Sequence, residues 1–277
     1  MWMVGELENL ICLATYANEF LNGPKGAKPK ELCPKNSAFD FVYFIRFLDM
    51  KGRTARSRSV TISKGTAGWF KYLRRKGVEH LRIAIVNWND SRPYLPDRVS
   101  VAFASCGNWV LVSEGPEGSK VWVPEWESYE PKSKRDHQIW AIDMKGFKSG
   151  IVPLKNKGPT ISQAKDALEE ALKHISSYDK RRRWGWSKGW FSKALAILRS
   201  DRPNLSILKD IVPKGWGSKE ARRLLVAADR SWVFGGMCSW NDVNMGKGRS
   251  KRDYVRVSNA LYKAMTDAIV TAANEVQ

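Results

Sequence analysis

Phe41-Val42-Tyr43-Phe44-Ile45-Arg46-Phe47-Leu48-Asp49-Met50-Lys51-Gly52 decides the fold class. Seven of its first eight residues are apolar or aromatic, a composition that suits a largely buried strand. Asp49-Met50-Lys51-Gly52 then reads as a turn, with Asp first and Gly last as a type I turn prefers. Arg53 to Ile62 returns as a second strand, polar at alternate positions. The early part of the chain is therefore expected to carry sheet.

Working outward, Leu7, Leu10, Ile11, Ala14, Ala17 and Leu21 recur at helical spacing, which predicts an amphipathic helix over 6–21. A Gly/Pro/Lys-rich loop runs from Asn22 to Asn36. Lys64 to Lys76 reads as a helix stopped by Gly77, a natural C-terminal cap. Further strands are expected at Leu81–Asn87, Arg98–Ser105, Trp109–Ser113, Lys120–Val123 and Gln138–Met144, with Glu114-Gly115-Pro116-Glu117-Gly118 as a hairpin loop. After residue 158 the period changes. Thr160-Ile161-Ser162-Gln163 forms a capping box, and Ile161, Ala164, Leu168, Ala171, Leu172 and Ile175 line one helix face. More helices are expected over 188–199, 218–229 and 253–275. The prediction is an α+β protein: a mainly antiparallel sheet with two helices over 1–158, then a helical region over 159–277. That region either packs on the sheet as one domain or stands as a second.

The chain has 277 residues, 43% hydrophobic and 27% charged, a globular composition. No run reaches the ~18 apolar residues of a membrane helix. The start, Met1-Trp2-Met3-Val4-Gly5-Glu6, lacks the basic region of a secretory signal. Cys12, Cys33, Cys106 and Cys238 form no CxxC motif, and His80, His137 and His174 pair with no cysteine at ligand spacing. Reduced thiols, a cytoplasmic location and no structural metal are expected.

The strongest global signal is charge: 47 Lys and Arg against 28 Asp and Glu, net +19. The excess is concentrated, with net +9 over residues 51–100 and net +7 over 151–200. In the first block, Arg56 and Arg58 stand two apart on the expected strand and so share a face. The second block holds Lys180-Arg181-Arg182-Arg183-Trp184-Gly185-Trp186-Ser187-Lys188-Gly189-Trp190-Phe191. Guanidinium groups suit phosphates, and exposed indoles stack on bases. Arg56, Arg58, Arg181, Arg182, Arg183 and Lys188 are thus candidate phosphate contacts, with Trp184 and Trp186 as stacking candidates. Trp190 has the helix-face spacing of Ala194, Ile197 and Leu198 and is assigned to the core.

One constellation has catalytic character. Ile139-Trp140-Ala141-Ile142-Asp143-Met144-Lys145 is an apolar strand ending in Asp-x-Lys, so Asp143 and Lys145 share a face. With Asp97 as a second carboxylate, this resembles the PD-(D/E)xK nuclease pattern. The resemblance implies Mg²⁺ held by the carboxylates and a lysine stabilising phosphate charge; no other cofactor is expected. Asp49-Met50-Lys51-Gly52 and Asp143-Met144-Lys145-Gly146 also share a turn-like sequence. Cys106, in Ala104-Ser105-Cys106-Gly107, has the strand-end setting of a nucleophile, with His80 and His137 as candidate bases. Trp232 to Asp242 reads as either a ligand-facing loop or a tight packed corner around Gly235-Gly236.

The leading expectation is a non-catalytic protein binding nucleic acid through phosphates. A protein-interaction module, of inhibitor or immunity type, for an acidic partner is the second, and a Mg²⁺-dependent nuclease the third. The sequence leaves oligomeric state open.

Overall fold

The computed structural model describes residues 5–52, 54, 56–86, 97–100, 109–129, 137–148, 150, 158–235, 239–243 and 248–275, and for 97 and 100 the backbone alone. The fold is α+β. Its elements run α1 (Gly5–Asn22), β1 (Val42–Met50), β2 (Ser59–Lys64), α2 (Thr66–Arg75), β3 (His80–Ile85), α3 (Asp97–Ser100), β4 (Trp109–Glu114), β5 (Lys120–Ser128) and β6 (Trp140–Lys148). Then come α4 (Ile161–Arg182), a π turn (Ser187–Phe191), α5 (Ser192–Arg199), α6 (Lys219–Arg230) and α7 (Arg249–Ala273).

The six strands form one mixed sheet in the order β2-β1-β6-β5-β4-β3. β3, β4, β5 and β6 make an antiparallel run, and the β1–β2 hairpin joins it through a parallel β1–β6 pairing. That pairing sets Arg46 beside Asp143 and Asp49 beside Gly146.

Several boundaries differ from expectation for physical reasons. β1 continues through Asp49 and Met50, so the turn starts at Lys51. β2 begins only at Ser59, which leaves Arg56 and Arg58 in the hairpin turn rather than on a shared strand face. Asp143-Met144-Lys145-Gly146 is no turn: it lies inside β6. A Cβ at Gly146 would stand 2.7 Å from the Trp122 ring, so glycine is what lets that ring lie across the strand. β5 runs past Pro124 to Ser128. Its pairing with β4 covers only residues 120–122, so beyond them Pro124 sits in an edge strand, where a missing N–H is tolerated. Residues 97–100 begin the expected fourth strand as a helical turn instead, and 101–105 lie outside the described residues.

One buried cluster draws side chains from α1, one sheet face and α4 to α7, so the two stretches of chain share a core. Phe47 stacks on Trp69 at 4.1 Å, and Trp122 meets Trp69 edge-on at 5.2 Å. α1 is buried along most of its length and crosses β3 and β4, while α2 covers β1 and β2. α4 and α7 pack antiparallel: Tyr178 Oη donates to the Ser250 carbonyl at one end, and Thr271 Oγ1 donates to the Pro159 carbonyl at the other.

The outer strand β3 is closed by two asparagines. Asn18 of α1 exchanges both amide hydrogen bonds with Leu81, at 2.7 and 2.8 Å. Asn274, just past α7, does the same with Ile83, at 2.7 Å each way. Each side chain stands in for a neighbouring strand and satisfies backbone groups that an open edge would expose. Among the described residues, no helix is long and apolar enough to cross a membrane.

Candidate nucleic-acid interface

The arginine run sits on a platform of aromatic side chains. Trp240 is fully buried and stacks on Tyr254 at 5.8 Å, and Trp184, Trp186 and Phe191 meet it edge-on at 5.4, 6.0 and 5.7 Å. Its indole N–H donates to Ser258 Oγ at 2.8 Å, and Tyr254 Oη donates to its carbonyl. Trp184 and Trp186 are therefore half-buried members of this cluster, with edges already used in packing. Trp190 packs against the same core.

The chain leaves α4 in a fixed geometry. Arg183 adopts a left-handed conformation (φ 60°) and Gly185 follows at φ 90°. The buried Asp179 carboxylate accepts from the backbone N–H groups of Trp186 and Ser187, at 3.3 and 2.7 Å. A side chain of the last α4 turn thus ties down the start of the π turn. Arg181, Arg182, Arg183 and Lys188 are left pointing outward, all exposed.

The antiparallel packing then brings a second basic segment beside them. Arg182 Nη2 donates to Ser250 Oγ at 2.8 Å, so the end of α4 adjoins the start of α7. There Arg249, Lys251, Arg252 and Arg256 are exposed, the last three flanking a shallow groove of about 660 Å³. Sequence reasoning missed these four. Residues 251–277 are nearly neutral as a block, since Asp253, Asp267 and Glu275 offset most of its cations, and Arg249 falls just outside it. A window of ten residues would have found the cluster. The first turn of α7 carries no acidic residue, so its cations stand at the positive end of the helix dipole, where each costs roughly 0.3–1 kcal/mol. Arg256 has Asp253 at 3.7 Å.

The other candidates lie elsewhere. Arg56 and Arg58 are exposed in the hairpin turn at the β2 edge, on the α2 side of the sheet. α7 meets the sheet at the opposite edge, β3. Among the described residues, no hydrogen bond or ion pair joins Arg56 or Arg58 to the α4–α7 surface.

No family model, curated protein or solved structure matches this chain.

Asp143 and Lys145 do share a face of β6, on the side of the sheet away from the helices, but each faces an opposite charge. Arg46 binds Asp143 through two bonds of 2.7 Å, and this hydrogen bonding raises the pKa of the guanidinium. Glu125 pairs with Lys145. The cross-strand neighbour of Asp143 is Glu125, a carboxylate that the sequence reading did not select. Asp97 belongs to α3, which packs on α7; its side chain lies outside the described residues. Its neighbour Arg98 is buried, donating to Asn241 at 2.7 Å and Asn259 at 3.0 Å. Among the described residues, no three His, Cys, Asp or Glu side chains gather as a metal site would need.

Cys106 and Cys238 lie outside the described residues. Cys12 and Cys33 are buried free thiols; burial pushes Cys33 up to about 12 and Cys12 well above its usual value, so both stay protonated. Burial lowers the pKa of His80, while His137 is exposed. In the 232–242 segment, Trp232, Val233 and Phe234 are buried, and Trp240 N–H donates to the Val233 carbonyl at 3.0 Å. Those described parts pack as a corner that seats Trp240; residues 236–238 lie outside the description.

Proposed function

We propose that this protein binds nucleic acid through its phosphates, using the surface where α4 ends and α7 begins. The observation that carries the reading is the meeting of Arg181, Arg182, Arg183 and Lys188 with Arg249, Lys251, Arg252 and Arg256 on one exposed surface. Cations at the end of α4 suit that helix's dipole, but those at the start of α7 oppose theirs. Folding alone does not favour that placement, whereas a bound polyanion does. Because Trp184 and Trp186 are engaged in packing, the contacts are electrostatic and largely indifferent to sequence. Arg56 and Arg58 contribute to steering from a distance rather than to the same footprint.

Fluorescence anisotropy with labelled duplex and single-stranded probes across a salt series tests this. Affinity is expected to fall steeply with salt for both forms. Replacing Arg181, Arg182 and Arg183 with Ala together should lower the slope of log K against log salt by about 2 to 3. An unchanged slope sinks the assignment. Absence of binding near physiological salt would turn the same charges toward an acidic protein partner.

The reading is non-catalytic because Asp143 and Lys145 are engaged in ion pairs across the sheet. With Mg²⁺ added, the probe should remain full length. Metal-dependent shortening that disappears in Asp143→Asn would establish the nuclease reading instead.

A further inference from the structure

A cleft of about 1030 Å³ opens at the end of the sheet, between the β1–β2 turn, the last turn of α2 and the β4–β5 hairpin. Four lysines from four different segments line it: Lys51, Lys76, Lys120 and Lys148. Asp49 receives Lys51 at 2.6 Å and Lys120 across the strand, so one carboxylate fixes two ammonium groups. Those two hydrogen bonds hold the Asp49 pKa below its usual value, although burial works to raise it. Lys76 pairs with Glu117 at 3.1 Å. Lys148 has no carboxylate partner among the described residues. Four ammonium groups against two carboxylates leave the cleft positive.

Apolar side chains adjoin these charges: Val60 is the cross-strand partner of Asp49, and Tyr72 lies one turn before Lys76. Both line the cleft, and Val60 is 47% exposed, one of only a few large apolar side chains so open among the described residues. A cleft of this volume holds a ligand of roughly drug or nucleotide size. Positive charge beside exposed apolar surface selects a molecule that joins a compact anion to a flat apolar part.

We propose that this cleft binds a phosphorylated small molecule of nucleotide size, its phosphates held by the lysines and its flat part laid against Val60 and Tyr72. The site shares no residue with the α4–α7 surface and stands or falls separately from it.

Isothermal titration of the full chain with ADP, pyrophosphate and adenosine is the test. One ADP per chain is expected, bound at least ten-fold more tightly than pyrophosphate or adenosine. The double charge reversal Lys51→Glu with Lys148→Glu, both at exposed positions, should weaken ADP at least ten-fold while leaving the circular-dichroism spectrum unchanged. Val60→Ser should weaken ADP but not pyrophosphate. The triple Ala variant at Arg181, Arg182 and Arg183 should bind ADP as the parent does. No heat with ADP at millimolar concentration overturns the proposal, as does loss of ADP binding in that triple variant. Pyrophosphate binding as tightly as ADP overturns the role of the apolar surface.

Discussion

The two ends of this molecule use positive charge differently. At the sheet end, three of the four cleft lysines are matched to carboxylates: Lys51 and Lys120 to Asp49, Lys76 to Glu117. At the helical end, the cations of α4 and α7 stand outward with Asp253 as the paired acid, and the acid among them, Asp179, is turned inward to hold the backbone. The first arrangement builds a cleft; the second leaves charge unspent on the surface. Net charge alone conceals this distinction, because both ends add to the total.

The largest effect should come from breaking the platform at the helical end. Trp240→Ala removes a fully buried indole that five aromatic or hydroxyl side chains contact, and should cost about 3–5 kcal/mol. Thermal denaturation measures the loss. The arginines should lose affinity for nucleic acid in step, since their mounting goes with it. Full stability in that variant would mean that the cluster does not hold this end of the molecule together.

At the sheet end, Gly146→Ala forces the Trp122 ring away from β6 and should cost about 1–3 kcal/mol. Nucleic-acid affinity should stay near the parent value, which a single anisotropy titration checks. A matching fall in affinity would show that the two ends are coupled through the core.

The smallest effect is acidic. Asp49 has a folded pKa below its unfolded one, so its contribution to stability is complete above about pH 4 and is lost as the pH falls through the folded value. For a partly solvated pair this amounts to under about 1 kcal/mol. Melting Asp49→Asn beside the parent should show a gap near neutral pH that closes toward pH 2. Arginines do not titrate in this range, so the cations at the helical end supply no corresponding term.

Glu8 behaves oppositely. Burial, then the nearby charges of Asp229 and Asp40, push its pKa up to about 8. A raised carboxyl pKa means stability falls as pH rises from about 4.5 to 8. Glu8→Gln should therefore gain on the parent above pH 8 and lose that advantage near pH 4, as read by melting temperature across the range.

Much of the fold was legible because it is local. Apolar spacing marked α1 and α4, the helices expected over 64–76 and 218–229 match α2 and α6, and Thr160 with Gln163 form the expected capping box. What local pattern could not carry was pairing. β1 and β6 lie about ninety residues apart in the chain, and nothing in either announces that they run parallel. Gly146 and Pro124 look like strand breakers until the ring above one and the open side of the other are known. The arginine run was equally plain in sequence, yet its partner segment on α7 was not. Their meeting depends on two long helices packing antiparallel, and the indoles read as candidates for bases also pack on Trp240.

The asparagine closures of β3 have a consequence in time. Asn18 stands 63 residues before its partner Leu81 and Asn274 stands 191 residues after its partner Ile83, yet both complete the same strand. Until Asn274 emerges, the Ile83 backbone has no such partner, and the sheet keeps an adhesive margin. The nascent chain must therefore carry an unfinished sheet margin while the 191 residues from Ile83 to Asn274 are made, and the residue that caps α7 acts as the latch that ends its exposure to other chains.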